Sequence, residues 1–589
     1  MPELETAETA QPISKSADGA RSSTAREATS PLPSPSLSRF WLIFAAIALA
    51  VLMAAALRWS FAHPYGVHWD EAEYFNDVQI DVHRLQSGML LRFGGRLLLK
   101  TWGRPPAFRL LSDPVLALIG FHTFSARLVS LALFGFSVWF VYLAVKRIAS
   151  QAAAALAALI FALSPEVVSA SIFFGTDTSL YLATSAMLYF LIALWSEESA
   201  KPANWIGLGL ALGLGFLAKT SFIVVALPVL AFWFVAARWG QRKLPSPASQ
   251  WKAGVLAFVV AGPWWIINAR AAFAYGHYAR TFVRNSLGTP SLVTGALWLN
   301  SAVQCLLGHG ISVLIVLLLI AVVVAIIRGK QILDLLQKTV LGACACAGLP
   351  IMCAQLSGTN HLLRHVSPAM IPLAIAVGIL FESVGWDRSR AMTAVASVLL
   401  CVQLGMLIAP VISPNTEPVE LGFVNGALPW RTIVRFDQWD WTPVRAIADD
   451  CGLQDPKISY LGNGRAFNKP QIEYPWVVRS ASVKGAAVDL PDPTWLWRYE
   501  NGPIGWPGLM DTAEQSDIVL TAPHFVGEAA YGEDRDNRYN ADFAARLSQD
   551  QRFREATVVK MGRFEPVELL VFVNKNLVCQ SDNGLPLQP

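Results

Sequence analysis

Charge is what this chain is short of. Asp, Glu, Lys and Arg make up 15% of its 589 residues, against about 25% in a soluble domain. That deficit excludes a wholly soluble enzyme. A strong excess of one sign is missing as well: the formal net charge is +4 and the pI near 8.6. No basic run marks a nucleic-acid surface. Signatures for nucleotide phosphates are absent, with no Gly-x-x-x-x-Gly-Lys loop and no strand-led Gly-x-Gly-x-x-Gly unit. No fixed-period repeat occurs, which argues against a solenoid.

What is there is apolar. Hydrophobic residues make up 54% and mean hydropathy is +0.43, which excludes disorder over the whole length. The 21 Trp and 31 Phe suit long bilayer interfaces, where aromatic rings sit at headgroup depth. Runs long enough to cross about 30 Å of hydrocarbon fall near 40–58, 125–145, 152–171, 179–195, 203–218, 220–237, 253–268, 310–327, 336–355, 366–384 and 391–411. The expectation is an α-helical integral membrane protein with eleven transmembrane helices. It rises to thirteen if 106–120 and 292–308, read as interfacial or re-entrant, also cross.

Residues 1–38 are of another kind. Ser, Thr, Ala and Pro supply 23 of the 38, too little apolar surface to offset ordering. The expectation is a disordered cytoplasmic tail. This segment and the run from Phe40 to Leu57 also fit a signal peptide with Ala54-Ala55-Ala56 as cleavage site. The length of the run and the many later spans favour a first span. An odd span number puts the two ends of the chain on opposite sides. The short loops 146–151, 238–252, 328–335 and 385–390 carry Lys146-Arg147, Arg238, Arg242, Lys243, Arg328, Lys330, Arg388 and Arg390, as a cytoplasmic face would. The opposite face holds about as many cations, in 58–127 and 269–290, so the charge bias is small.

From residue 413 the composition turns soluble. Strand-like runs at Ile458–Leu461, Asp517–Leu520 and Leu569–Val573, with a helix-like stretch at 540–550, predict a small C-terminal α/β domain over 413–589, outside the cytoplasm. Cys305, Cys344, Cys346, Cys353 and Cys401 fall in or beside spans and behave as small apolar residues. Cys451 and Cys579 are the two in the soluble part. In an oxidising compartment they have a partner in each other; spacing alone leaves two separate thiols equally open.

Charged side chains beside a membrane are costly, so their clustering carries information. The densest cluster follows the first span, in the loop 59–124: His68-Trp69-Asp70-Glu71-Ala72-Glu73-Tyr74, then Asp77 and Asp81. A helix cap would account for Asp70-Glu71 alone. However, Arg104-Pro105-Pro106, Thr176-Asp177, Lys219 and Arg364-His365 fall on the same face in this topology. A carboxylate there can take a proton from a hydroxyl, and fixed cations can neutralise a departing phosphate. His68, Asp70, Glu71 and Asp177 offer ligand atoms to a divalent cation, though no spacing demands one, and His68 beside Trp69 reads more readily as an interfacial pair than as a ligand. His361 and His365 are spaced four apart, but a break before Pro368 leaves a shared face open.

The order of these motifs resembles the GT-C superfamily of polytopic glycosyltransferases, in particular the protein O-mannosyltransferases and lipid A aminoarabinose transferases. The residues that carry the resemblance are Asp70-Glu71 with Tyr74, and Arg104-Pro105-Pro106 where relatives have Lys-Pro-Pro. Further ones are Thr176-Asp177, the stretch Gly213 to Lys219, Pro263-Trp264, and Arg364-His365 where relatives have Arg-Tyr. The resemblance spans residues 40–410. It implies a transmembrane domain over 39–412 and inverting transfer of a hexose or pentose from a polyprenyl-phosphate donor to a hydroxyl on a lipid, glycan or protein of the cell envelope, in the inner membrane. By carry-over Asp70 is the general base, Glu71 orients it or the acceptor, and Asp177 holds the acceptor or a metal. Arg104, Lys219, Arg364 and His365 grip the donor phosphate. Arg270, Arg280 and Arg284 join them or stay solvated near headgroups. A transporter or flippase would need ionisable groups at mid-span and an internal repeat; the acids here lie at span ends. A non-catalytic assembly subunit would have no use for both Asp70 and Asp177.

Overall fold

The computed structural model describes residues 35–64, 69–99, 103–196, 201–239, 247–287, 292–329, 332–356, 363–412, 439–462, 467–482, 491–498, 502–503, 506–524, 534–562 and 567–580. The expected tail lies outside them up to residue 34, as do His68 and His361. The first part is helical. In chain order the helices are α1 (Pro35–Ala62), α2 (Trp69–Gln86), α3 (Leu90–Leu99), α4 (Ala107–Ile119), α5 (Thr123–Lys146), α6 (Gln151–Ala162), α7 (Pro165–Ile172), α8 (Asp177–Ser196), α9 (Pro202–Ala218), α10 (Phe222–Trp239), α11 (Pro247–Leu287), α12 (Leu292–Ile327), α13 (Leu335–Leu356), α14 (Met370–Ser383) and α15 (Arg390–Ile412).

Each apolar run read from the sequence falls on one of these helices except 152–171, which is split between α6 and α7. Among the described residues, seven helices (α1, α5, α8, α11, α12, α13 and α15) are long and apolar enough to cross a bilayer. The pair α6–α7 is bent by 64° and passes the same test only when taken together as one span. The runs at α9, α10 and α14 form shorter apolar helices. The stretch at 106–120 is the separate helix α4, and 292–308 ends at a break within α12, where Gly308 has φ +67°.

At the centre is α6. Its Ala-rich sequence is buried on every side from Ala152 to Ala162, as an apolar helix without a polar face must be. Small side chains let α1, α5 and α14 pack directly on it. The helix stops at Leu163-Ser164, because Pro165 has no N–H to continue it and instead starts α7. That turn redirects the chain towards the loop that carries Asp177.

The C-terminal domain holds a five-stranded mixed sheet in the order β2-β1-β5-β7-β6. Its strands are β1 (Ile458–Leu461), β2 (Thr494–Trp495), β5 (Ile518–Thr521), β6 (Phe553–Met561) and β7 (Val567–Asn574); β3 (Trp497–Arg498) and β4 (Gly502–Pro503) form a separate short hairpin. β1 runs parallel to β2 and β5, and β7 antiparallel to β5 and β6. Apolar side chains on both faces give two cores, one around Phe467 and Trp476 and one around Phe543 and Phe572. Cys451 and Cys579 form a disulfide across 128 residues. The helix Lys469–Ser482 seats this domain on α2: Asn76 Nδ2 donates to Pro470 O at 3.1 Å, and Tyr474 shares a 2.8 Å hydrogen bond with Thr123.

Candidate active site

The acids and Lys219 sit where local structure favours their sign. Asp70 and Glu71 occupy the first turn of α2, and Asp177 is the first residue of α8; a helix N-terminus favours anions. Lys219 caps the C-terminal end of α9 in extended conformation, where a cation is favoured. The glycines before it are packing sites. A Cβ at Gly213 would lie 2.7 Å from Val260 on α11, and one at Gly215 would lie 2.3 Å from the Phe222 ring. Arg364 and His365 lie in a short 3-10 turn ahead of α14.

These ends meet. Arg364 Nη2 donates to Asp70 Oδ2 at 2.5 Å, and Lys219 Nζ donates to Asp177 Oδ1 at 2.8 Å. Lys219 Nζ is also 3.3 Å from His365 Nδ1, which accepts. Burial works against the Arg364 charge, but Asp70 and Asp177 outweigh it and hold its pKa above the ordinary guanidinium value. Burial, with Lys219 and Arg364 beside it, pushes His365 down to about 3. It is therefore a neutral hydrogen-bond acceptor at pH 7, not a third cation.

Arg104 joins from the far end of the loop. Its Nη1 is 2.6 Å from Glu73 Oε2, one turn of α2 beyond Asp70, and its guanidinium lies 5.4 Å over the Tyr275 ring of α11. Burial opposes its charge; Glu73 and Tyr74 more than compensate and raise its pKa. Gly103 sets this approach: its φ is +75°, and a Cβ there would lie 2.6 Å from Ala271 O. Asn268 Nδ2 donates to Leu98 O at 2.7 Å and ties α11 to α3 below the same loop.

Glu71 is directed elsewhere. Its carboxylate receives Arg127 Nε at 2.9 Å and Nη2 at 2.8 Å, and the Phe174 N–H at 3.0 Å. Both side chains are fully buried, and Arg127 stacks 4.9 Å from Trp59 while donating to His63 O at 2.5 Å. Asp77 and Asp81 also leave the cluster: Arg96 reaches both, and Arg109 pairs with Asp81. Arg270 is exposed on α11, and the side chains of Arg280 and Arg284 lie outside the described residues. Sequence reasoning missed Arg127 and the Glu73–Arg104 pair. An isolated Arg within an apolar run, five residues into α5, was the available signal for Arg127.

Among the described residues, the trio whose ligand atoms lie close enough for a metal is Asp450, Cys451 and Cys579. Two of these form the disulfide. Asp70 and Asp177 each already pair with a cation, so a divalent ion at either would have to displace Arg364 or Lys219.

The architecture has solved counterparts. ArnT from Cupriavidus metallidurans bound to undecaprenyl phosphate aligns with a TM-score of 0.54 at 16% identity, covering 91% of this chain and 98% of that one. The apo form of the same protein aligns at 0.56 and 13% identity, with the same coverage. The chain has the GT-C fold. Residues 103–267 of the GT-C frame match the family model for dolichyl-phosphate-mannose-protein mannosyltransferase; these residues run from the Arg104 loop through Asp177 and Lys219 to Pro263-Trp264. The arabinofuranosyltransferase AftD from Mycobacteria aligns at 0.52 and 12% identity, covering 91% of this chain and 40% of that one. No curated protein sequence matches the chain.

Proposed function

We propose that this chain is an inverting membrane glycosyltransferase that moves a hexose or pentose from a polyprenyl phosphate to a hydroxyl on a cell-envelope lipid, glycan or protein. The observation that carries this reading is the pair of contacts Asp70–Arg364 and Asp177–Lys219, formed by four distant stretches of chain at the ends of apolar helices. In the reaction the acceptor oxygen attacks the anomeric carbon while the bond from that carbon to the phosphate oxygen breaks. Asp70 takes the acceptor proton. Arg364 exchanges Asp70 for the phosphate as the donor enters, which frees the carboxylate, and Lys219 and Arg104 share the charge of the departing polyprenyl phosphate. Asp177 fixes Lys219 and holds the acceptor side. Neutral His365 orients Lys219. Glu71 is a strut that sets the rotation of α2.

The transmembrane unit is read as 39–412, with the tail 1–38 in the cytoplasm, the site on the outer face of the plasma membrane and 413–589 beside it. The Cys451–Cys579 disulfide supports an oxidising compartment for that domain. The match to a mannosyltransferase family and the undecaprenyl phosphate bound in the ArnT structure support the donor class.

Mass spectrometry of cell-envelope glycolipids and glycoproteins from a deletion strain tests this. A species lacking one sugar should reappear with the wild-type gene. With Asp70→Asn it should stay reduced about 100-fold or more, the scale of a lost general base. Full restoration by Asp70→Asn would remove Asp70 from the mechanism.

A further inference from the structure

A cavity lies at the end of the bundle opposite Asp177. It has a volume of about 200 Å³ and is enclosed by the ends of α8 and α10 and the beginnings of α9 and α11. Leu194 in its wall is roughly 25 Å along α8 from Asp177 at 1.5 Å rise per residue. It is therefore separate from the candidate active site, and the inference does not rest on the transferase reading.

Three observations specify its occupant. The wall is apolar, with Leu194, Leu208, Leu212 and Trp205 among its residues. Gln250 and the Trp233 indole are the polar groups of this wall, too few to give each of the roughly seven waters that would fill the space its 2–4 partners. The occupant is therefore a hydrocarbon, and Phe234 in the lining is half exposed. The indole N–H of Trp233, 3% exposed, is buried in the lining without a hydrogen-bond partner. It needs an acceptor such as an ester carbonyl, at the depth where indoles meet headgroups. Finally, Lys201, Arg238 and Lys252 are exposed on the adjoining ends of α9, α10 and α11, a charge arrangement complementary to an anionic headgroup.

We propose that this cavity binds one acyl chain of an anionic phospholipid, with the chain between α8, α9, α10 and α11, the ester carbonyl on Trp233 and the headgroup among the three cations. Gly254 gives a clean way to block it. It lines the cavity, and a Cβ built there meets nothing within 4 Å, so Gly254→Leu fills the space without displacing backbone.

The full-length protein would be placed in nanodiscs containing phosphatidylglycerol with a photoactivatable acyl chain, and in parallel phosphatidylcholine or undecaprenyl phosphate carrying the same group. Labelled peptides would be mapped after irradiation. Phosphatidylglycerol should label the peptides bearing Trp205 and Trp233 above the lipid-facing surface of α15 around Val398, 61% exposed. Gly254→Leu should abolish that excess while leaving the α15 label unchanged, which also reports that the fold is intact. Trp233→Phe, which keeps the shape and removes the N–H, should lower it about five-fold, the scale of one net hydrogen bond. Labelling no stronger than at α15, or unaffected by Gly254→Leu, would overturn the site. Equal labelling by phosphatidylcholine would overturn the anionic preference. Stronger labelling by undecaprenyl phosphate would overturn the phospholipid assignment in favour of an isoprenoid chain.

Discussion

Asp70 and Glu71 are neighbours in sequence but point about 100° apart on α2, and that angle separates their environments. The Asp70 side chain is 21% exposed and faces Arg364; Glu71 is at 0% and faces Arg127. A buried ion pair is costly to break from one side, because the remaining charge has lost its partner. Arg127→Met should therefore destabilise the protein by roughly 3–5 kcal/mol, read as a lower thermal midpoint in detergent. The double variant Glu71→Leu with Arg127→Met should recover most of that loss, since an apolar pair of similar volume avoids desolvating two charges. Asp70→Asn should melt close to wild type while losing transfer. A wild-type midpoint for Arg127→Met would mean that the Glu71 pair is no strut. This division was not legible in the sequence. Acids are sparse near the spans, so the cluster stood out, but which of two adjacent acids faces it depends on the rotation of α2, and Arg127 fixes that rotation from another helix.

Helices that break inside a bilayer expose backbone groups that no water can satisfy. Two breaks occur side by side, after α6 at Leu163 and in α12 at Gly308, and one side chain from α15 serves both. Gln403, 1% exposed, donates to Leu163 O at 3.1 Å and accepts from Gly310 N at 3.1 Å. Ser164 Oγ adds a bond to Leu306 O at 2.5 Å. Gln403→Leu would strand a carbonyl and an N–H in an apolar setting, at about 1–3 kcal/mol each. The expected result is a lower thermal midpoint together with weaker transfer, since α7 leads directly into the loop of Asp177. An unchanged midpoint would show that these groups find other partners. The apolar runs were legible because length and hydropathy are enough to mark a span. The break after α6 was not, because it is marked by a single Pro and its compensating amide lies far along the chain; the one in α12 falls between 292–308 and 310–327, which were read as separate runs. In the C-terminal domain β1, β5 and β7 were legible as short apolar runs, whereas β6, with its alternating exposure, reads as polar loop.

At the scale of the whole molecule, the question is how the C-terminal domain stays on the membrane part. The helix Lys469–Ser482 brings Glu473 against α2, where its Oε2 accepts from Asn76 Nδ2 at 3.2 Å. Burial raises the Glu473 pKa from 4.5 to about 7; Lys469, 3.8 Å away, pulls it down, while Asp492 and Glu73 push it up. The docked state thus binds the proton more tightly than the undocked one, and the linkage has a definite sign. Docking is at full strength below about pH 4.5, weakens as pH rises through the window from there to about 7, and is flat above it. Hydrogen exchange of α2 and of residues 469–482 should therefore be slower at pH 5.5 than at pH 8, after correction for the intrinsic rate. Glu473→Gln is neutral at both pH values and should remove the difference. Because α2 also carries Asp70 and Glu73, a looser dock at high pH should reduce transfer in the wild type more than in Glu473→Gln. Equal protection of the wild-type interface across this range would mean that the buried carboxyl does not govern docking, and that the Tyr474–Phe75 aromatic contact, centroids 5.9 Å apart, holds the domain together with the Asn76–Pro470 and Tyr474–Thr123 hydrogen bonds.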